Sequence, residues 1–271
     1  MKAARKDAVV FVCGGRITGA LLAGLRLARY DEPIIVHDRH RSKLTELRRQ
    51  YGVTIEPDLH RAVERARLLI IAVRPDSVRA LLTELGKISP TFAVSLAAGI
   101  PLANLRGWMG APVRWARAMP SPVARSGHGL TALTFARDFP APARRELRDL
   151  FARVGIVLEI PESKLDAFTV TYSSSHGYHA LAALAEAAEK LGLERRVAMT
   201  AAAHALADGI LAWRESESSL DDLLREAATP GGIAAATLAS MDRSGYKRIV
   251  QQGLRAGMAR ARKNAARKNA K

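Results

Sequence analysis

The stretch FVCGGRITGALLAG, residues 11–24, decides how the first half of the chain is read. An apolar run, AVVFV (8–12), leads into it, and Gly14 and Gly15 interrupt that run. The next segment, ITGALLAGLRLARY, has helical spacing. A strand running through a glycine turn into a helix is how a dinucleotide-binding unit opens. In the G-x-G-x-x-G pattern the first glycine makes the tight turn and the second lets backbone approach the pyrophosphate. The third lets the helix pack on the strand. Here Cys13 stands at the first position and Thr18 at the third. Gly14 and Gly15 supply the close approach, and Cys13 is small but needs ordinary backbone angles. Thr18, or Gly19 one residue late, takes the packing role. Arg16 adds positive charge beside the pyrophosphate, and helix-start N–H groups such as that of Ile17 hold the phosphates. The competing reading is a structural turn that merely needs glycine.

The sequence beyond the turn alternates strand and helix. PIIVHD (33–38) is a second apolar run, RSKLTELRRQYG is an amphipathic helix ending at Gly52, and LLIIAV (68–73) has buried-strand length. SVRALLTELGKI is helical, and FAVSLAAG (92–99) runs from strand into turn. VRWARAM (113–119) and LTALTFA (130–136) are further strands. Apolar strands alternating with helices predict an α/β fold, a doubly wound parallel sheet covered on both faces.

Near residue 163 the character changes. SKLDAFTVTYSSSHGYHALAALAEAAEKLGL reads as one long helix, irregular at the serines, and the segments after it are helical with no strand among them. Residues 1–162 are therefore read as a Rossmann-type dinucleotide-binding domain, 163–260 as an all-helical domain and 261–271 as a basic tail. The helices are alanine-rich on several faces, so this domain completes its core with a partner chain.

Composition narrows the class. Of 271 residues, 48% are hydrophobic and 25% charged, which is globular. The single cysteine excludes a disulfide framework and a cysteine-rich zinc site, and it suits a reducing cytoplasm. The first apolar run is too short for a signal peptide, and no uninterrupted apolar stretch of about twenty residues marks a membrane span. A net charge of +16 raises nucleic-acid binding as a function. Its densest piece, RARKNAARKNAK (260–271), has no aromatic interleaving and no helix-turn-helix or zinc spacing. It reads as a frayed, solvated tail, and nucleic-acid binding rests on charge alone. The basic surface otherwise favours anionic cofactors.

The second strand ends at Asp38, where an acidic residue accepts hydrogen bonds from adenosine ribose hydroxyls. Arg39 and Arg41 follow in HDRHRSK and pair instead with a ribose 2′-phosphate. The acid favours NAD(H). The two cations favour NADP(H), which is the preferred reading.

Several later motifs add up. AVRPDSV (72–78), SLAAGIPLANL (95–105), RAMPSPVARSGHGLTAL (117–133), LGLERRVAMTAAAHALADGIL (191–211) and TPGGIAAATLASMDRSGY (229–246) occur in that order. They are similar to the A-V-K-P, S-x-A-A-G-I, R-x-M-P, K-x-G-L and S-P-G-G-T-T segments of pyrroline-5-carboxylate reductases, and the resemblance covers almost the whole chain. It implies an N-terminal Rossmann domain, a C-terminal helical dimerisation domain and hydride transfer from NAD(P)H to the C=N carbon of a cyclic imine. In that family the product is L-proline, and the helical domains interlock in a homodimer or higher oligomer. The resemblance places Ala72, Val73, Arg74 and Pro75 on the adenosine and phosphate side. It places Ala97, Ala98, Gly99, Met119, Pro120 and the following Ser121 near the nicotinamide.

The chain also departs from the family pattern. Ser121 replaces the asparagine after M-P, and Pro122 and Val123 replace the following T-P. The family's S-G-S-G-P-A-Y loop is unrecognisable in TYSSSHGYHA. The family's last threonine in S-P-G-G-T-T, whose hydroxyl contacts the imine, is Ala234 here, preceded by Ile233; only Thr229 keeps a hydroxyl. Thr229 reads as the helix cap with proline in the first turn. Gly231, Gly232, Ile233 and Ala234 are read as the substrate site, where the N–H groups of the last three bind a carboxylate at the positive end of the helix dipole. The lost hydroxyl is worth about 1.5–3 kcal/mol against a charged group. Its absence leaves room and an apolar wall, which suits a bulkier imine.

Imine reduction also needs a proton on nitrogen. His176, Tyr178 and His179 fall in the rewritten loop, and a histidine can act as an acid near neutral pH. His176, Tyr178 and Thr229 are the candidate catalytic residues, against a plain reading as helix-end or interface residues. His204, among alanines, reads as a packed helix residue. Glu217 matches a family acid near the nicotinamide or is a solvated loop acid. The expected function is NAD(P)H-dependent reduction of 1-pyrroline-5-carboxylate to L-proline. Two alternatives stand beside it: reduction of a different, bulkier imine, and a nucleotide-binding dimer without turnover.

Overall fold

Successive side chains of β1 (Ala8–Val12) point to opposite faces of a sheet, and both faces are covered. Val9 and Phe11 enter one core; Ala8, Val10 and Val12 enter the other. The structure is a computed structural model that describes residues 6–86, 92–109 and 113–266. After β1 come α1 (Arg16–Leu27), β2 (Ile34–His37), α2 (Arg41–Tyr51), β3 (Thr54–Ile55), α3 (Leu59–Glu64) and β4 (Ala66–Ile71). Then follow α4 (Pro75–Leu85), β5 (Phe92–Ser95), α5 (Leu102–Met109), β6 (Arg114–Pro120) and a 3-10 turn (Pro122–Ser126). β7 (Gly129–Phe135), α6 (Ala141–Ala152), β8 (Gly155–Glu159) and α7 (Glu162–Thr171) complete this part.

The strand order is β3-β2-β1-β4-β5-β6-β7-β8, with every neighbouring pair parallel except β6 and β7. This is the doubly wound arrangement expected, with a switch point beside β1. The antiparallel pair is the one departure from the parallel sheet. Only the short 3-10 turn joins β6 to β7, and a parallel crossover needs a longer connection. Leu22 and Leu25 of α1, Leu44 of α2 and Phe151 of α6 fill one face. Val63 of α3, Leu82 of α4, Leu105 of α5 and Trp115 of β6 fill the other. β3 is only a dipeptide, and every residue of GIVLE in β8 is exposed or half-buried.

The expected long helix after residue 163 is two helices. Tyr172 and Ser173 separate α7 from α8 (Ser174–Lys190). α9 (Arg195–Glu215), α10 (Leu220–Ala227), α11 (Ile233–Arg243) and α12 (Tyr246–Ala266) follow. Two compact units result: one runs through Tyr172 and resumes at Gly257, and the other is Ser173–Ala256. The division thus falls beyond the 162/163 boundary read from sequence, because α7 is tied to β6 by ion pairs from Arg117 to Glu162 and Asp166. The basic segment from 260 is not frayed within the described residues. It is the end of α12, and Ala261 is buried there. Residues 267–271, and the end of the expected helix at 87–88, lie outside the described residues.

In the helical unit only Ala185, Ala198 and Ala202 are buried, while Val197, Ile210, Leu211, Trp213 and Val250 stand exposed. Such a unit has almost no core of its own, and its apolar surface is of the kind that marks an interface. Among the described residues no helix is long and apolar enough to cross a membrane.

Candidate active site

The glycine turn is built around Asp38. Cys13 extends the β1–β2 pairing by donating its N–H to the His37 carbonyl at 2.8 Å. The N–H of Gly14 then donates to Asp38 Oδ2 at 2.8 Å. Asp38 Oδ1 accepts from the backbone N–H of His40 at 2.8 Å and from its ring Nδ1 at 3.0 Å. Burial alone would raise this carboxyl group. The hydrogen bonds from His40 and Gly14 and the nearby Lys43 ammonium outweigh it and hold the group below its ordinary value. Asp38 is 5% exposed, and both its oxygens are engaged within the protein. It clamps the turn.

Cys13 departs from the ordinary backbone angles it was expected to keep. Its φ is 89°, the left-handed region where the fingerprint places glycine. Thr18 explains how the turn holds: it is fully buried in α1, and its hydroxyl donates to the Cys13 carbonyl at 2.6 Å. Gly19 takes no packing role, since a Cβ there would meet nothing within 4 Å. A φ of this kind costs an L-residue about 1–3 kcal/mol. Cys13→Gly is therefore expected to stabilise the protein by about 1 kcal/mol after glycine's own entropic cost, read as a rise of about 3 °C in thermal midpoint. The thiol is pushed above its ordinary value by burial and then by Asp38, so it stays protonated.

A cavity of about 430 Å³ opens beside the turn. Of the predicted residues it is lined by Asp38, Arg39, Val73 and Arg74; Cys13, His37, His40, Lys43 and Ser77 also line it. Arg41 does not line it and instead begins α2, while Lys43 supplies the charge expected from it. Sequence reading passed over His40 and Lys43. His40 is the N-cap of α2 and Lys43 lies in its first turn, which brings both to the Asp38 carboxylate. Arg39 is held by Glu84 at 3.1 Å.

The residues present fit a dinucleotide. The first-turn N–H groups of α1, at Arg16, Ile17 and Thr18, have no intrahelical partner. A Cβ on Gly15 would meet only the Cys13 sulfur at 3.6 Å, so the space above that helix start is open. Ala72 donates its N–H to Val12, and Pro75 opens α4 in its first turn, which sets the segment 72–75 at the carboxyl end of β4. Ala98 and Gly99 follow β5; Met119 and Pro120 end β6. Ser121 is 6% exposed, and its Oγ is buried without a hydrogen-bond partner among the described residues.

In the helical unit, Thr229 is not the cap of α11. The N–H of Gly232 donates to the Thr229 carbonyl at 2.9 Å, and Gly231 has φ 77°. Thr-Pro-Gly-Gly is thus a turn with proline second and a left-handed glycine third, the geometry of a type II turn. Gly232 is the N-cap. Its own N–H is spent in the turn, so the free donors shift to Ile233, Ala234 and Ala235. Ile233 is 89% exposed beside them. His176, Tyr178 and His179 are exposed in the first turns of α8, and Glu217 is exposed between α9 and α10. His204 is exposed and pairs with Asp208 at 3.2 Å, rather than packing among alanines.

A switch-point crevice beside a strand–turn–helix unit, with Cys13 of the turn in its wall and cations around one end, defines a dinucleotide-binding protein of the Rossmann class. Residues 8–99 match the family described as NADP oxidoreductase, coenzyme F420-dependent, and residues 162–264 match the one described as pyrroline-5-carboxylate reductase dimerisation. The chain is 30% identical to the pyrroline-5-carboxylate reductase of Mycobacterium tuberculosis over 93% of its own length and 95% of that protein. It is 29% identical to that of Corynebacterium melassecola over 88% and 92% of the two chains. In fold it superposes on the pyrroline carboxylate reductase of Plasmodium falciparum, solved with NADP bound, with a TM-score of 0.86 at 17% identity over 97% of this chain and 100% of that one. The Streptococcus pyogenes enzyme gives 0.87 at 23% identity over 95% and 98%. The chain belongs to the pyrroline-5-carboxylate reductase family.

Proposed function

We propose that this protein reduces 1-pyrroline-5-carboxylate to L-proline with NADPH, as a homodimer in the cytoplasm. One observation carries the reading: the crevice residues stand in a chain that follows a curated reductase over 93% of its own length and 95% of that protein. When bound, the cofactor supplies a hydride to the C=N carbon. The chain supplies the rest. Gly14, Gly15, Arg16 and Ile17 take the pyrophosphate at the start of α1, and Asp38 fixes that turn. Arg39, His40, Lys43 and Arg74 surround the adenosine end, where three permanent cations favour a 2′-phosphate. Val73 walls the crevice, with Ala72 and Pro75 beside it at the carboxyl end of β4. Ala98, Gly99, Met119, Pro120 and Ser121 meet the nicotinamide end. Gly231 and Gly232 shape the turn that presents the N–H groups of Ile233 and Ala234 to a carboxylate. His176, Tyr178 and Thr229 are the side chains offered for the proton on nitrogen. The exposed apolar faces of the helical unit are covered by the second chain.

The test mixes purified protein with NADPH or NADH and a panel of cyclic imines, with and without carboxylates. Oxidation of NADPH with pyrroline-5-carboxylate, and formation of proline, is the expected result. A protein that binds neither nucleotide is incompatible with it. Ile233 and Ala234 favour a second reading in which a bulkier, less polar imine is the better substrate. The panel separates the two. Ala234→Thr is expected to lower KM for pyrroline-5-carboxylate about tenfold by restoring a hydroxyl. Carboxylate-free imines gain nothing if that hydroxyl serves the charged group.

A further inference from the structure

The end of α12 packs on the turn after β5, and three contacts converge there. Asn264 donates its side-chain amide to the Ala98 carbonyl at 3.3 Å. Asn104, on α5, donates its amide to the Ala265 carbonyl at 2.9 Å. A Cβ on Gly99 would stand 2.7 Å from the Ala261 carbonyl oxygen, so only glycine admits the helix this close. Ala265 carries one of the last carbonyls of a helix, which lack intrahelical donors, and Asn104 satisfies it. The end of α12 is therefore fastened on both sides.

The contact fixes a peptide as well as a position. In a trans peptide the carbonyl and the next N–H point in opposite directions. With the Ala98 carbonyl held on Asn264, the Gly99 N–H faces away from α12. It has no hydrogen-bond partner among the described residues. The adenosine cavity lies at the β2 side of the switch point, so the other half of a dinucleotide lies across the β4–β5–β6 half of the sheet. The turn of Ala98 and Gly99 is at the carboxyl end of that half. We propose that Asn264 is a positioning residue of the cofactor site: by holding the Ala98 carbonyl it presents the Gly99 N–H as a donor to the nicotinamide half. This rests on the reading above that the crevice takes NADPH.

The experiment compares two ligands on the wild-type protein and on Asn264→Ala. NADPH spans both halves of the crevice, and 2′,5′-ADP reaches only the adenosine half. The variant is expected to weaken NADPH about fivefold, the order of one hydrogen bond, and to leave 2′,5′-ADP within about twofold. The fluorescence gain of NADPH on binding falls in step. Asn264→Asp keeps the shape without the donor and serves if the alanine variant fails to fold; the same split is expected. Unchanged NADPH affinity, or equal weakening of both ligands, overturns the proposal. So does a wild-type protein that binds no NADPH. Turnover of pyrroline-5-carboxylate by the wild-type protein is read separately. The Asn264 split without turnover refutes the substrate reading alone, and turnover without the split refutes this proposal alone.

Discussion

Arg117→Met is expected to lower stability by about 3 kcal/mol and the thermal midpoint by about 8 °C. Arg117 sits on β6 with its side chain 2% exposed. Its guanidinium reaches Glu162 at 3.3 Å and Asp166 at 3.1 Å, and its Nε is buried without a partner. Taking that cation out of water is costly, so the cluster as a whole is not a large net stabiliser. Removing the cation alone is a different matter. Two neighbouring carboxylates then lose their shared counter-charge, a change worth about 3–5 kcal/mol when all groups are buried. Glu162 and Asp166 keep some contact with water, which places the effect at the lower end. Glu162 also accepts the N–H of Leu102 at 2.6 Å, at the start of α5. The turn before α5 carries Ala98 and Gly99, so activity is expected to fall at temperatures where the variant is still folded. The triple variant with Glu162→Gln and Asp166→Asn recovers part of the loss, because it removes the stranded charges together. Thermal unfolding followed by circular dichroism reads all three proteins. A loss under about 1 kcal/mol for the single variant contradicts the account.

The doubly wound sheet was legible because its strands are continuous apolar runs. LLIIAV became β4, and AVVFV became β1, each buried on both faces. β8 was less legible, since the apolar run of this edge strand, Ile156 to Leu158, is shorter than those of β1 and β4. The antiparallel turn between β6 and β7 leaves no trace in apolar pattern, because reversing a strand does not change its composition. Around the crevice, the positions of Gly14 and Asp38 could be read from spacing, and that of Arg74 from the resemblance of AVRPDSV to the family segment. What Asp38 does could not, because its role depends on two N–H groups brought to it by folding. The same holds for Arg117, Thr18 and Asn264, whose partners lie on other turns or distant segments. The basic end of α12 shows the limit most clearly. Its charge pattern pointed to solvent, yet Ala261 and Asn264 within it pack on the turn at Gly99.

Gly24→Ala is expected to destabilise the protein by about 2 kcal/mol, although alanine is the better helix former by about 1 kcal/mol. Gly24 is buried in α1 where that helix crosses the 3-10 turn. An added Cβ would overlap the Ala124 carbonyl oxygen and stand 2.9 Å from Val154 Cγ1. A flexible side chain could move aside, but Ala124 O is backbone and already accepts the N–H of Gly127 at 3.1 Å. Either α1 lifts from the sheet or the 3-10 turn shifts, and overpacking of this kind costs about 1–3 kcal/mol. Because the obstacle is backbone, the cost lies at the upper end and exceeds the gain in propensity. Gly19, in the same helix, is the control: a Cβ there meets nothing, so Gly19→Ala is expected to stabilise by about 0.5–1 kcal/mol. Two identical substitutions five residues apart thus have opposite signs, and thermal unfolding of both variants measures the difference. Ser121 is the N-cap of the turn that must yield, so Gly24→Ala is also expected to weaken NADPH while Gly19→Ala leaves it unchanged. Equal and favourable shifts in both variants would mean that α1 does not pack against Ala124 as described.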